Sequence, residues 1–277
     1  MKFEKQPVRL APNYNMIKLI VSDIDGTLVN NQKEIPSSFW EVFKTIEQKG
    51  ILFCAASGRQ LQSLHELFAP IKERIAYAPD NGASLVYQGK TLFERPIAFT
   101  SFFPILRTCN EIQQIGVALC GKKSAYVKTD DKWIFDEIAR HYPAHTRVTD
   151  FVAIDDEIFK ITVCDRGISR LNSYQYLKKY ANEFNVVVSG EIWLDITGKD
   201  VNKGDAIAHL QSQLNITPDE TVVFGDHLND VELIQQATYS YAMLNAQEEL
   251  KALANYVTEY DNNHAGVVRA LEKLLQS

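Results

Sequence analysis

The feature that most constrains the fold is a short, largely apolar run that ends directly in acidic residues. Residues 16–22 read MIKLIVS, and Asp23-Ile24-Asp25 follows at once. A run of this kind is typical of a strand buried on both faces of a parallel sheet. Ligands of open α/β sheets bind beyond the carboxyl ends of the strands, so these acids lie where chemistry is expected.

A helix and a second strand follow the first acids. Pro36 precedes apolar residues at helical spacing and Gly50 closes the run as a C-terminal cap would; the apolar residues are Phe39, Val42, Phe43 and Ile46. Residues 51–56 (ILFCAA) read as another buried strand. Strand, helix and strand form a βαβ unit, which predicts a parallel sheet with right-handed crossovers.

The same pattern returns near the C-terminus and fixes the expected fold class. We predict a helix at 206–214, a strand at 221–224, a short helix at 231–237, an edge strand at 239–243 and an amphipathic helix at 266–275. The predicted class is α/β, with a doubly wound, mostly parallel sheet.

The middle of the chain has a different pattern, in which hairpins alternate with helical stretches. The predicted strands and hairpins are 86–93, 117–128 and 158–164, and the predicted helices are 102–115, 132–141 and 168–184. We interpret this region as an α+β domain inserted into the first. The predicted domains are a core in two parts, 1–85 and 191–277, and an insertion at 86–190, with residues 1–15 flexible.

Composition excludes several classes of protein. A length of 277 residues favours two domains, and 45% hydrophobic with 23% charged residues excludes disordered and fibrous chains. With 29 basic and 35 acidic residues the net charge is −6, so no overall field attracts nucleic acid or an anionic membrane. No apolar run approaches the roughly 20 residues of a membrane span, and charges interrupt residues 1–15, so we expect no signal peptide and a cytoplasmic location.

The cysteines predict neither a zinc site nor a disulfide framework. The four are widely spaced and form no CxxC pair; they are Cys54, Cys109, Cys120 and Cys164. Buried free thiols are the expected outcome.

Polar groups follow three of the predicted strands. They lie at 23–27, 57–59 and 225–230, and they include four carboxylates, those of Asp23, Asp25, Asp226 and Asp230. Carboxylates that converge on one edge of a sheet repel one another unless a cation lies among them. Because the ligands are oxygens, the sequence predicts Mg²⁺ rather than Zn²⁺.

The first acidic loop has two other interpretations. Asp23, Asp25 and Glu34 occupy the first, third and twelfth positions of a calcium-binding EF-hand loop. The sixth position needs glycine but holds Leu28, so this interpretation fails. Ordinary turn chemistry, in which acids and glycine only shape the backbone, stays open for this loop taken alone.

The motifs together resemble a known enzyme family. IVSDIDGTLV, SGR, NKG and GDxxND occur at 20–29, 57–59, 202–204 and 225–230, in the order typical of haloacid dehalogenase-like phosphatases. ASGR at 56–59, NGA at 81–83 and the long insertion before the lysine motif most resemble the Cof-type sugar-phosphatase branch. The resemblance spans residues 20–230 and implies a Rossmann-like core with an inserted α+β cap domain.

The resemblance also implies roles for the acids. Asp23 would be the nucleophile that forms an aspartyl-phosphate. Asp25 would be the general acid and then the base, with a pKa above that of a free aspartic acid, and its main-chain oxygen would bind the metal. Asp226 would complete the protein ligands of the metal, while Asp230 would hold metal-bound water or orient its neighbours.

The phosphate group of the substrate would be bound by the remaining motifs. Ser57 and the main chain at Gly58 would donate to phosphoryl oxygens, although Ser57 could instead cap a helix. Lys203 would lie between the phosphoryl group and the nucleophile, its alternative being a solvated surface lysine. Asn229 would donate to the phosphoryl group or simply favour a turn.

The inserted domain would close over the site, exclude water and supply specificity. Arg59, Asn81 and Lys160 are the candidates that would reach the substrate from the core or the cap, and each has an ordinary solvated or capping alternative.

The predicted function is a Mg²⁺-dependent phosphatase of small phosphate monoesters, with a sugar phosphate or similar metabolite as substrate. One alternative is a phosphomutase, since an aspartyl-phosphate can pass its phosphoryl group to a sugar hydroxyl. Another alternative is a catalytically silent regulator that binds sugar phosphates. The complete set of motifs argues against this alternative. No nucleic-acid or membrane partner is expected, and the sequence indicates no oligomeric state.

Overall fold

A computed structural model describes residues 16–276, and the prediction that residues 1–15 are flexible lies outside that range. The strands in chain order are β1 (Leu19–Ser22), β2 (Leu52–Ala56), β3 (Ala76–Ala78), β4 (Ser84–Tyr87), β5 (Lys90–Glu94), β6 (Ile115–Gly121), β7 (Ala125–Lys128), β8 (His145–Arg147), β9 (Ile158–Asp165), β10 (Phe184–Val188), β11 (Trp193–Gly198), β12 (Thr221–Gly225), β13 (Tyr239–Ala242) and β14 (Tyr256–Val257). The α-helices are α1 (Phe39–Gln48), α2 (Leu61–Leu67), α3 (Phe99–Cys109), α4 (Lys132–His141), α5 (Ser173–Leu177), α6 (Lys203–Leu214), α7 (Val231–Ile234), α8 (Glu248–Leu253) and α9 (Gly266–Leu275).

The first sheet is the predicted doubly wound sheet. Its strand order is β14-β13-β12-β1-β2-β3-β4-β5, and pairing is parallel from β14 to β3. From β1 the chain moves outward through β2 and β3, whereas from β12 it moves outward in the other direction. The order therefore reverses between β1 and β12, and a crevice at such a switch point is where ligands of these folds bind.

Local sequence explains the elements around that switch point. All four residues of β1 are buried, as expected for a strand with parallel neighbours on both sides. The predicted apolar stripe of α1 is the buried face of that helix. Gly50 follows the helix with φ +69°, a left-handed conformation that glycine adopts without cost. The prediction that residues 239–243 form an edge strand is wrong, because β14 pairs outside β13.

The second sheet is mostly antiparallel and lies between helices. Its strand order is β10-β11-β9-β6-β7-β8, and only β7 and β8 pair in parallel. Successive side chains of β6 enter different cores: Leu119 packs in a cluster with Phe102 of α3, and Ala118 packs in one with Ile134 of α4. This alternation is that of a strand with both faces covered.

The chain changes sheet twice, later in each case than the predicted domain limits. The hairpin of β4 and β5 extends the first sheet to Glu94, because β4 pairs with β3. β11 belongs to the second sheet, because it pairs with β9 as far as Thr197. The limits at 85/86 and 190/191 do not coincide with these changes, and a separately folded domain stays a prediction.

Two smaller expectations can be compared with the structure. All four cysteines are buried free thiols, as predicted. In the range 16–276 no helix is both long enough and apolar enough to cross a bilayer.

Candidate active site

Three loops meet at the carboxyl ends of neighbouring strands in the first sheet. Ser22 of β1 is level with Phe224 of β12 on one side and with Ala55 of β2 on the other. The loops that begin with Asp23, Ser57 and Asp226 therefore leave the sheet side by side. This is the convergence that the sequence predicts, and it follows from the parallel register of three adjacent strands.

A buried lysine joins the first and third loops. Lys203 begins α6, and its Nζ lies 2.6 Å from Asp23 Oδ1 and 2.6 Å from Asp230 Oδ1. Lys203 is 1% exposed, so the surface alternative for this residue is wrong. Asn202 caps the helix by accepting a hydrogen bond from the N–H of Asp205 at 2.8 Å, which fixes the first turn that carries the lysine.

Three carboxylates lie close enough to share a metal ion. One oxygen from each of Asp23, Asp226 and Asp230 lies within 4.8 Å of the other two. Both oxygens of Asp230 have partners, because Oδ1 pairs with the lysine and Oδ2 accepts from the main-chain N–H groups of Asp226 and His227. Thr27 Oγ1 donates to Asp226 Oδ1 at 3.0 Å. Among residues 16–276, no hydrogen bond reaches Asp23 Oδ2 or Asp226 Oδ2.

These two oxygens have no hydrogen-bond partner among the described residues and can therefore act as ligands of a hard divalent cation. Both belong to carboxylates, and the cluster contains no sulfur or imidazole ligand among the described residues. Gly26 keeps the space open: at its φ of +81° a Cβ atom would lie 2.3 Å from Asp226 Oδ2. The donor set therefore fits Mg²⁺.

The charges in the cluster are unbalanced without a cation. Burial raises the pKa of Asp23 well above its usual value, and the negative charges of Asp230 and Asp226 raise it further against the opposing effect of Lys203. Burial and the charge of Asp230 also raise the pKa of Asp226. One ammonium group does not offset three carboxylates, whereas an added divalent cation would.

Asp25 has a different environment from the one predicted. Arg59 donates from Nε to Asp25 Oδ2 and from Nη2 to Oδ1, both at 2.8 Å, and Lys33 Nζ donates to Oδ1 at 2.8 Å. Burial alone would raise the pKa of Asp25, but the hydrogen bonds and charges of Arg59 and Lys33 outweigh it and hold the pKa far below the usual value. The prediction of a raised pKa is wrong for this state of the protein.

Ser57 lies in a buried turn that a second loop holds. Ser57 is 1% exposed, and its Oγ accepts a hydrogen bond from the N–H of Arg59 at 3.1 Å. Its carbonyl oxygen accepts from the N–H of Asn81 at 2.9 Å, and the carbonyl oxygen of Arg59 accepts from Asp80 at 2.9 Å. Ser57 is not the cap of α2, because Gln60 occupies that position.

The remaining predicted residues lie beside this turn. Asn229 Nδ2 donates to Asn81 Oδ1 at 3.1 Å, and the Asn81 side chain lies against Gly58, where a Cβ atom would be 3.3 Å from that oxygen. The main-chain N–H of Gly58 donates to no atom of residues 16–276. Lys160 reaches this region from the second sheet and donates to the Gly58 carbonyl oxygen at 2.7 Å.

Sequence reasoning missed two residues of the site. Thr27, the last residue of the DIDGT run, holds the Asp226 carboxylate, and its position in the motif was a usable signal. Lys33 reaches back to Asp25 only because the intervening loop folds over, and no spacing rule in the sequence indicated this contact.

Known proteins resemble this chain over most of its length. A family model described as haloacid dehalogenase-like hydrolase matches residues 20–271. The 5-amino-6-(5-phospho-D-ribitylamino)uracil phosphatase YbjI of Escherichia coli K12 is 31% identical over 265 residues, covering 94% of this chain and 97% of that protein. The Bacillus subtilis 168 phosphatase YcsE, named for the same substrate, is 25% identical over 255 residues, covering 92% of this chain and 94% of that protein.

A solved structure shares the whole fold. SMU.1108c from Streptococcus mutans UA159 superposes with a TM-score of 0.83 at 29% identity, covering 94% of this chain and 100% of that one. The match of the family over nearly the full chain, joined to this arrangement of acids and lysine, means that the chain belongs to the haloacid dehalogenase-like hydrolase family, as one of its phosphatases.

Proposed function

We propose that this chain is a Mg²⁺-dependent enzyme that hydrolyses small phosphate monoesters, with sugar phosphates as the substrate class, through an aspartyl-phosphate on Asp23. One observation carries the proposal. The buried carboxylate of Asp23 is held 2.6 Å from the buried ammonium of Lys203, with a free oxygen beside the carboxylate of Asp226. A nucleophile needs this combination of fixed position and local positive charge to approach an anionic ester.

The metal would be held by three oxygen donors. These are the side chains of Asp23 and Asp226 and the main-chain oxygen of Asp25, while Asp230, whose oxygens already have partners, would orient Lys203 and the third loop. Bound Mg²⁺ would neutralise charge on the phosphoryl oxygens.

The protein groups would carry out two displacements. In the first, an oxygen of Asp23 bonds to phosphorus, the bond to the ester oxygen breaks, and that oxygen takes a proton from Asp25. In the second, Asp25 accepts a proton from water, whose oxygen bonds to phosphorus and releases inorganic phosphate and Asp23. Burial opposes the charged form of Lys203, but the carboxylates of Asp23 and Asp230 outweigh it and raise the pKa of the ammonium group.

This mechanism requires Asp25 to be released from its ion pairs. A general acid must carry a proton, and two cations now oppose protonation of Asp25. Arg59 follows Ser57 by two residues, so a phosphoryl group bound at Ser57 would compete with Asp25 for the guanidinium. We expect substrate binding to free Asp25 in this way.

The names of two relatives support the substrate class. The relatives from Escherichia coli and Bacillus subtilis are both named for a substrate with a phosphorylated ribityl chain. We therefore propose an open-chain or cyclic sugar phosphate as substrate of this chain. A cytoplasmic location remains part of the same proposal.

The test is release of inorganic phosphate from a panel of sugar phosphates that includes 5-amino-6-(5-phospho-D-ribitylamino)uracil. We expect release with Mg²⁺, none with EDTA, and at least about a thousandfold loss in Asp23→Asn. Asp136→Asn on α4, which removes a surface carboxylate paired with Lys132, is the matched control and keeps full activity.

Two other outcomes would favour the alternatives. A phosphomutase would convert one phosphosugar isomer into another with little free phosphate. A binding protein would retain the panel compounds and form neither product. Either result from folded, Mg²⁺-loaded protein would overturn the proposal.

A further inference from the structure

A buried lysine of the second sheet reaches into the turn of the first sheet that contains Ser57. Lys160, in β9, is 1% exposed, and its Nζ donates to the Gly58 carbonyl oxygen at 2.7 Å. The same ammonium lies 3.3 Å from Asp80 Oδ1, an ion pair without hydrogen-bond geometry. One cation from the second sheet therefore holds both loops that form the turn.

The contact with Gly58 has a specific consequence for Ser57. The carbonyl group of Gly58 and the N–H of Arg59 belong to one planar peptide unit. That N–H donates to Ser57 Oγ at 3.1 Å. Lys160 holds the carbonyl group of Gly58, and because the peptide unit is planar it thereby also holds the N–H of Arg59. That N–H in turn orients the hydroxyl of Ser57.

The second loop needs such support. Asp80 and Asn81 have φ values of +49° and +59°, in the left-handed region that side chains other than glycine occupy at a cost. Their N–H groups bind the carbonyl oxygens of Arg59 and Ser57, both at 2.9 Å. The ion pair with Lys160 thus holds the strained loop against the turn.

A purely structural role explains poorly why a lysine occupies this buried position. Burial of an ammonium group is costly, and an apolar side chain of the same length would pack in its place at lower cost. The surroundings nevertheless favour the charged form: burial would lower the pKa of Lys160, but interactions with Asp195, Tyr142 and Asp80 outweigh that effect and raise it.

We propose that Lys160 is a positioning residue for phosphate binding, which acts through the Gly58–Arg59 peptide plane on Ser57 and makes the phosphate site depend on the second sheet. This inference rests on the proposed function, since it assigns Ser57 to the phosphoryl group.

Three variants test the inference. Lys160→Met removes the ammonium and keeps the length of the side chain. Asp80→Asn/Lys160→Met also removes the carboxylate that the first change leaves unpaired, so this variant is expected to fold. Gln62→Ala is the matched control, because Gln62 Nε2 of α2 donates to the carbonyl oxygen of Lys122, between β6 and β7, at 2.9 Å, and this contact involves neither Gly58 nor Asp80.

The measurements are the Kd of inorganic phosphate by calorimetry in Mg²⁺, the KM and kcat of the best ester, and amide hydrogen exchange. We expect both Lys160 variants to bind phosphate at least about tenfold more weakly, since a charged hydrogen bond is lost. The Kd of Mg²⁺ should not change, and faster exchange should be confined to residues 57–60 and 79–82. Gln62→Ala should match the wild type.

Four results would overturn the inference. The first is recovery of wild-type phosphate affinity in the double variant, which would trace the defect to the unpaired Asp80 alone. The second is a general loss of stability with unchanged phosphate affinity. The third is wild-type protein that neither hydrolyses esters nor binds phosphate, in which case the proposed function fails as well. The fourth is an active wild type together with a Lys160→Met variant that binds phosphate with wild-type affinity, which overturns the inference alone.

Discussion

At the residue scale, the site depends on one buried ammonium between two buried carboxylates. Lys203 is paired with Asp23 and Asp230, and none of the three is more than 4% exposed. A buried charge without its partner is strongly destabilising, so each member of this set constrains the other two. The same ion pairs that stabilise the loops also fix the position of the Asp23 carboxylate, the proposed nucleophile.

Lys203→Met is expected to lower both stability and activity. The change leaves two buried carboxylates facing each other without an ammonium, and we expect the free energy of unfolding in EDTA to fall by about 3 kcal/mol. Added Mg²⁺ should restore part of the loss. The control is Lys251→Met, which breaks an exposed pair with Glu248 and should change stability by less than about 1 kcal/mol. Equal effects of the two changes in urea denaturation would contradict this account.

Gly26→Ala is expected to damage the metal site specifically. The new Cβ would lie 2.3 Å from Asp226 Oδ2, so the carboxylate must move. Gly89→Ala is the matched control, because Gly89 has a similar φ of +69° but no atom within 4 Å of its Cβ position. Both variants should lose about 1 kcal/mol from backbone strain. Only Gly26→Ala should weaken Mg²⁺ binding in calorimetry; normal binding there would refute the assigned crowding.

Asp80 should make stability depend on pH. Burial raises its pKa to about 6, although the charge of Lys160 opposes the shift. The folded state therefore binds more protons than the unfolded state between the unfolded pKa of about 4 and the folded pKa of about 6. The contribution of Asp80 to the free energy of unfolding should fall as pH rises through this window and stay constant above it.

The measurement is urea denaturation from pH 4 to 7 of the wild type and Asp80→Asn. Subtracting the variant removes the titration of the other groups, and the difference should fall between pH 4 and pH 6. A difference that rises with pH would mean that Asp80 is stabilised as a carboxylate.

At the scale of elements, periodicity predicts the first βαβ unit because its contacts are local or lie within one sheet. The predicted helix over 168–184 is shorter in the structure, where α5 begins only at Ser173. The reason is a tertiary contact: the buried carboxylate of Asp165 accepts hydrogen bonds from Asn172 Nδ2 and from the N–H and Oγ of Ser173. These bonds hold Asn172 at φ −115° and ψ −97°, which is not helical, and no local pattern indicates them.

The candidate site was predictable to the extent that its residues follow strands. Asp23, Ser57 and Asp226 come directly after β1, β2 and β12, so the register of the sheet brings their loops together. The contact of Lys33 with Asp25 was not predictable, because it depends on how the loop from Val29 to Glu34 folds back.

Asn202→Ala is expected to weaken the start of α6. Loss of the cap should lower the free energy of unfolding by about 1 kcal/mol and loosen the turn that carries Lys203, so that kcat falls modestly. Asn202→Asp keeps the accepting oxygen and should keep the wild-type stability. If Asn202→Asp is as unstable as Asn202→Ala in thermal unfolding, the cap is not the source of the effect.

At the scale of the whole molecule, the fold joins loops from distant parts of the chain. Lys203 and Asp23 are 180 residues apart, and Lys160 and Gly58 are 102 apart. The first pair was predictable from the family motifs, whereas the second was not, because a contact between two sheets leaves no periodic signal in either.

Bound Mg²⁺ should stabilise the whole fold, since its proposed ligands, which are the side chains of Asp23 and Asp226 and the main-chain oxygen of Asp25, come together only when the loops converge. At a concentration one hundred times its Kd, we expect about 2.7 kcal/mol of added stability. Asp226→Asn should abolish most of this gain, whereas Asp136→Asn should keep it. A melting temperature that does not respond to Mg²⁺ or EDTA would exclude these residues as the metal site.

The proposed mechanism requires Asp23 to carry the phosphoryl group during turnover. The most direct measurement is to quench the enzyme during turnover of its best ester, reduce any acyl phosphate with borohydride, and analyse the peptides by mass spectrometry. We expect homoserine at position 23, only when substrate is present, with Asp25 unchanged. Homoserine at another position, or none at position 23 while phosphate is released at full rate, would contradict it.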